Sequence, residues 1–172
     1  MALTLIKEIG SGNANANAYA DVADGDAYHA GHLYATAWTV ASADQKAVAL
    51  VMATRLIDAE YQFHGLRVES SQALQWPRAY CPSPDDEDVL PEDAVPAAVV
   101  QATCELAREL LIADRTAAPA GEGLKYYNNS GVQTGYDKSD TRPVIPAVVQ
   151  AMLAKLGALI KTKSGAVKLV RV

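Results

Sequence analysis

His29 and His32 stand three residues apart, a spacing that lets two imidazoles share one helix face and hold a metal between them. Gly31 is expected to end the helix between them, and neither C-x-x-C nor H-E-x-x-H accompanies the pair, so no metal is expected. Asp85-Asp86-Glu87-Asp88 gathers carboxylates but lacks the glycine and the distal bidentate Glu of an EF-hand loop; it reads as a solvated acidic loop. Cys104 reads as packing on a helix, since free Cys is commonly buried. Cys81 lies in a loop near Arg78, a cation that would lower its pKa, but the sequence supplies no partner base. Without a secretion signal both cysteines are expected as reduced thiols. No G-x-S-x-G elbow is present, and Gly10-Ser11-Gly12 and Gly121-Glu122-Gly123 lack the Lys-Ser/Thr of a phosphate loop. With no nucleophile, base and orienting group in one pattern, neither an enzyme nor a cofactor is expected.

Charge is the second signal. Residues 1 to 140 hold 9 Lys and Arg against 20 Asp and Glu, a balance of −11. Residues 141 to 172 hold Arg142, Lys155, Lys161, Lys163, Lys168 and Arg171 with no acid, a balance of +6. An acidic body thus carries a basic tail. That tail can face nucleic acid, face an acidic protein surface, or simply complement the dipole of a helix end. No apolar run is long enough to span a bilayer, and the first residues, Met1 to Glu8, do not have the basic start and long apolar run of a signal peptide. At 172 residues, half of them apolar, the chain can bury a core as one domain.

The elements follow from caps and periodicity. Residues 3 to 9 alternate enough for a short strand. Asp21 with Asp24 predicts a helix over 22–30 that stops at Gly31. Residues 32 to 41 read as an irregular connection carrying Trp38. Ser42 and Gln45 form a capping box for a helix over 43–61, whose stripe is Ala47, Leu50, Val51, Thr54, Ile57 and Tyr61. Val48, Met52 and Leu56 widen that stripe, so this helix is either central or packed on two sides. Residues 62 to 95 are proline-rich loop. Pro96 suits the first position of a third helix with Val99, Val100, Thr103, Ala107, Leu110 and Leu111 inward, and Gln101, Glu105, Arg108 and Glu109 opposite. Residues 124 to 136, turning at Asn128-Asn129-Ser130-Gly131, read as a β-hairpin arm within a segment of about 120–142. Pro146 opens a fourth helix with stripe Val149, Met152, Leu153, Leu156 and Ile160. Leu169-Val170-Arg171-Val172 reads as a terminal strand whose free edge asks for a partner. The expected fold class is mainly α: a small four-helix bundle with a β-hairpin arm and short terminal strands.

Between the second and third helices lies Gln72-Ala73-Leu74-Gln75-Trp76-Pro77-Arg78. Pro77 biases Trp76 towards extended backbone, which holds the indole against a core rather than on a helix. With Asn13-Ala14-Asn15-Ala16-Asn17-Ala18-Tyr19, Asp24-Gly25-Asp26-Ala27-Tyr28, Ala53-Thr54-Arg55 and Val95-Pro96 leading to Glu105-Leu106-Ala107, this order resembles the head-to-tail adaptor (connector) proteins of tailed bacteriophages. Some relatives of that group carry the label DnaT-like single-stranded-DNA-binding protein. The match covers most of residues 1 to 115. It departs from the family pattern at Asp21, usually a serine, and at Asp85 to Asp88, usually an Asp-Gly turn.

The resemblance implies a structural virion protein. Copies would form a ring, usually dodecameric in that family, between the portal protein and the next neck component, extending a channel for double-stranded DNA. Assembly would take place in the host cytoplasm and involve no membrane. Head-to-tail rings need one face to complement another, a need that an acidic body and a basic tail meet. The residues expected at partner interfaces are Tyr126, Tyr127, Tyr136, Lys155, Lys161, Lys163, Lys168, Leu169 and Arg171, with Trp76, Pro77 and Arg78 as a structural anchor. The alternative is single-strand binding, which needs a basic groove with aromatic platforms. The tail has charge but no aromatic residue after Tyr136, and the hairpin tyrosines have only Lys125 and Lys138 beside them.

Overall fold

The computed structural model describes residues 3–85, 88–117, 126–129, 132–135 and 143–160. Five helices and six short strands occur among them. Helix α1 (Val22–Ala30) opens on a reciprocal capping box: Asp21 accepts from the Asp24 amide, and the Asp24 carboxylate accepts from the Asp21 amide. Gly31 closes it. Gly25 is required in α1 because a Cβ there would lie 2.2 Å from the Trp38 ring. Trp38 belongs to a short helix α2 (Thr36–Val40), where irregular chain was expected. Five residues are too few for a periodicity signal. What fixes the turn is burial of the indole, whose Nε1 donates to Asp26 at 2.8 Å.

Helix α3 (Ala43–Glu60) carries the expected Ser42–Gln45 capping box. It packs along α4 (Ala97–Ile112) and buries Leu50, Val51, Thr54 and Ile57. Pro96 is the residue before α4 rather than its first member, with φ −56° and ψ 140°. Past α3, β1 (Tyr61–Phe63) pairs antiparallel with β6 (Gly157–Leu159), Tyr61 opposite Leu159. Strand β2 (Leu66–Arg67) pairs with β3 (Arg78–Ala79), and β4 (Tyr126–Asn129) with β5 (Val132–Gly135). The β4–β5 register, Asn129 opposite Val132, is that of the expected hairpin arm.

The four-helix bundle is therefore corrected to a mixed α/β arrangement: five helices with three two-stranded antiparallel pairs. The strand pairs and the shortened last helix overturn it. The fourth long helix is instead a short α5 (Ala147–Leu153), followed by a turn and then β6. Residues 157–159 leave the helix because Gly157 lets two backbones meet; a Cβ there would lie 2.5 Å from the Gln62 carbonyl oxygen. The expected N-terminal strand is likewise absent from residues 3–9, where a single bridge joins Lys7 to Ala18. A strand over 169–172 lies outside the described residues. The core joins Tyr19, Trp38, Leu50, Ile57, Trp76, Leu106, Ile145 and Leu153.

Candidate functional site

Trp76 is fully buried and meets the Phe63 ring edge-on, with centroids 5.6 Å apart. The Trp76–Pro77 peptide is cis. Arg78 is buried and spends its guanidinium on backbone: Nε donates to the His64 carbonyl at 2.6 Å, Nη2 to Gly65 at 2.7 Å, and Nη1 to Gln75. Tyr19 and Asp58 complete the lock. The Tyr19 hydroxyl donates to Asp58 and accepts from the Gln75 and Trp76 amides, while Asp58 also accepts from the Gln75 amide at 3.0 Å. Burial is the largest influence on Asp58 and pushes its pKa up to about 6; burial and that carboxylate likewise raise Tyr19.

A second polar cluster lies where α1 and α2 meet α4. Glu105 and Arg108, expected on a solvent face, are 3% and 9% exposed. The reason is that α2 and the chain before it cover this side of α4. Arg108 Nη2 donates to Glu105 at 2.7 Å and to Glu109 at 2.8 Å, and Nη1 reaches the Tyr34 carbonyl. Arg115 continues the row, donating to Glu109 at 2.8 Å and to the carbonyls of Val144 and Pro143. His29 is buried; its Nε2 donates to the Cys104 carbonyl at 3.1 Å, and burial lowers its pKa. His32 accepts the Tyr34 amide on Nδ1, which places its proton on Nε2, 3.6 Å from Glu105. Gln101, Glu105, Arg108 and Glu109 form one polar stripe on α4, so the sequence carries no signal of that cover.

The structure places the histidines side by side, with ring centroids 5.8 Å apart, but as packing partners of α4. Among the described residues no three His, Cys, Asp or Glu are arranged to hold a metal. Both thiols are free and buried. Cys104 is pushed up to about 12 by burial, and burial outweighs the Arg78 charge at Cys81, raising its pKa where a lowering was expected.

Of the expected interface residues, Lys155 is exposed and pairs with the exposed Asp85 at 2.9 Å. Tyr126 and Tyr127 are consecutive in β4. Tyr136, Lys161, Lys163, Lys168, Leu169 and Arg171 lie outside the described residues. The described residues hold 8 Lys and Arg against 15 Asp and Glu, a balance of −7. Most of those cations are already engaged: Lys7 with Asp24, Lys46 with Asp26, Arg108 and Arg115 with Glu109, Lys155 with Asp85, and Arg78 with carbonyls. Residues 3 to 172 match the family described as "Putative DnaT-like ssDNA binding protein". The chain belongs to that family. No curated protein and no solved structure matches it. The DnaT-like match is compatible with DNA as a partner. It does not carry the phage-adaptor resemblance with it.

Proposed function

We propose that this DnaT-like family member is a non-catalytic, DNA-associated assembly protein. Its folded body makes protein contacts, and its basic segments make the DNA contacts. The observation that carries this reading is the division of charge. The described body is −7 with most of its cations engaged, whereas Lys161, Lys163, Lys168 and Arg171 bring four cations and no acidic side chain to residues 161–172. Phosphate is repelled by such a body and attracted by such a segment. The family description supports the DNA half of the proposal.

In its finer form the role is that of a virion-neck adaptor. Copies close into a ring on a portal protein, hold the next neck component, and leave a channel for double-stranded DNA. The acidic body and the earlier resemblance favour this form. The family description favours the second form, a single-stranded-DNA-binding protein, with Tyr126, Tyr127 and Tyr136 as stacking candidates.

A salt-titrated DNA-binding assay beside electron microscopy of the chain mixed with its portal separates the two. The adaptor gives rings on the portal and weak binding indifferent to strandedness. The single-strand binder gives preference for single strands and affinity that falls steeply with salt. Absence of both rings and DNA affinity at low salt overturns the proposal.

A further inference from the structure

The widened stripe of α3 is not wholly consumed by the core. Val48 is 52% exposed, and Leu3 beside it is also open. Two adjoining depressions share Val48 and Met52. One, about 320 Å³, extends to Leu56 and Arg55 near the end of α3. The other, about 310 Å³, runs between α3 and α4 over Leu110 and Leu111 and reaches Asp44. Together they form an apolar groove along about 18 Å of helix, from Asp44 to Leu56 at 1.5 Å per residue. Leu110 and Leu111, expected inside the core, are only partly covered because they form its wall.

The chain leaves the described structure beside the end of this groove. Strand β6 runs back along β1, and the Ile160 amide donates to the Glu60 carbonyl, the last residue of α3, at 2.7 Å. Residues 161–172 follow. They reach at most about 40 Å, which exceeds the groove. Five of their last seven residues are Ala, Val or Leu, small enough for depressions of this size, and their four cations oppose the −7 of the described residues.

We propose that the α3–α4 groove is the docking site for this chain's own residues 161–172. Val48, Met52 and Leu111 supply the apolar wall for such a segment, and Asp44 supplies an acid at the far end of the groove from Arg55. A tethered segment competes at millimolar effective concentration, which favours the chain's own segment over that of a second copy. Docking goes beyond the DNA-associated role. It makes the basic segment a choice between the groove and any phosphate partner, so DNA or an acidic protein must displace it.

The test is site-specific photo-crosslinking of the full-length chain with a benzophenone amino acid in place of Leu169. The expected product is a monomer cross-linked to peptides holding residues 44–56 or 110–111. Val48→Asp puts a charge at an exposed groove position and should cut that yield about tenfold or more while thermal melting stays cooperative. Cross-links mapped elsewhere, a mainly dimeric product, no product, or an unchanged yield in Val48→Asp each overturn the inference. DNA affinity and ring formation are not part of this readout, so it fails or succeeds independently of them.

Discussion

The Tyr19–Asp58–Gln75 lock and the Glu105–Arg108–Glu109–Arg115 row both withdraw carboxylates from water, on opposite terms. Asp58 has dipoles for neighbours: a hydroxyl and an amide N–H. Arg67 and Arg78 act on it only at a distance, so burial wins and its proton is held until about pH 6. Glu105 and Glu109 instead meet guanidinium groups at 2.7 and 2.8 Å. Burial alone therefore does not say how a carboxylate behaves. A partner of full opposite charge turns the same cost into an ion pair, while beside dipoles burial remains the largest influence on Asp58.

The ion-pair row is the side where a single change should cost most. Arg108→Met keeps the stem but strands Glu105, which is almost wholly buried, and leaves Glu109 with Arg115 alone. Removing one partner of a buried pair typically costs about 3–5 kcal/mol. Denaturant unfolding of Arg108→Met should show a loss of that size. Adding Glu105→Gln should recover a substantial part, because the uncompensated charge goes with it. A single-mutant loss under about 1 kcal/mol would mean that the row is solvated in solution.

The lock side should reveal itself through pH. A carboxyl whose folded pKa is raised binds more protons folded than unfolded, so stability falls as pH rises from about 4 to about 6 and then levels. The swing is on the order of 2 kcal/mol at most, since Asp58 is only partly buried. Asp58→Asn should flatten it. His29 works in the other direction. Its lowered pKa makes the neutral ring the folded form, so its contribution is complete above about pH 6.5 and is lost as pH falls. Equilibrium unfolding from pH 4 to pH 8, wild type against Asp58→Asn, checks the first sign. An imidazole NMR titration of His29 below the free value checks the second.

Much of the local structure was legible in the residues, and the reason is range. The Asp21–Asp24 and Ser42–Gln45 caps are complete within four residues. The β4–β5 hairpin is set by its own turn residues, and the burial of Trp76 by its own chemistry. What was not legible depends on distant partners. Strand β6 exists because β1, nearly a hundred residues earlier, needs an edge, and periodicity from Val149 to Ile160 cannot carry that information. Glu105 and Arg108 look like a solvent face until α2 covers them, and α2 is itself too short to show. Cys81 shows a related limit. A nearby arginine can be inferred from sequence; the burial that outweighs it cannot.

Lys155 gives the smallest expected effect and the sharpest contrast with Arg108. Its bond to Asp85 is 2.9 Å, close to the 2.7 and 2.8 Å of the buried ones, yet both side chains are mostly in water. Solvent screening and side-chain entropy should hold its worth to a few tenths of a kcal/mol. Lys155→Ala should therefore melt within about 1 °C of wild type. Because the residue is exposed and basic on an acidic body, any larger effect belongs in assembly or DNA binding rather than in folding. A variant that melts normally but assembles or binds DNA poorly marks Lys155 as an interface residue. A variant normal in melting, assembly and DNA binding removes it from that set and leaves the role to the basic residues beyond Ile160.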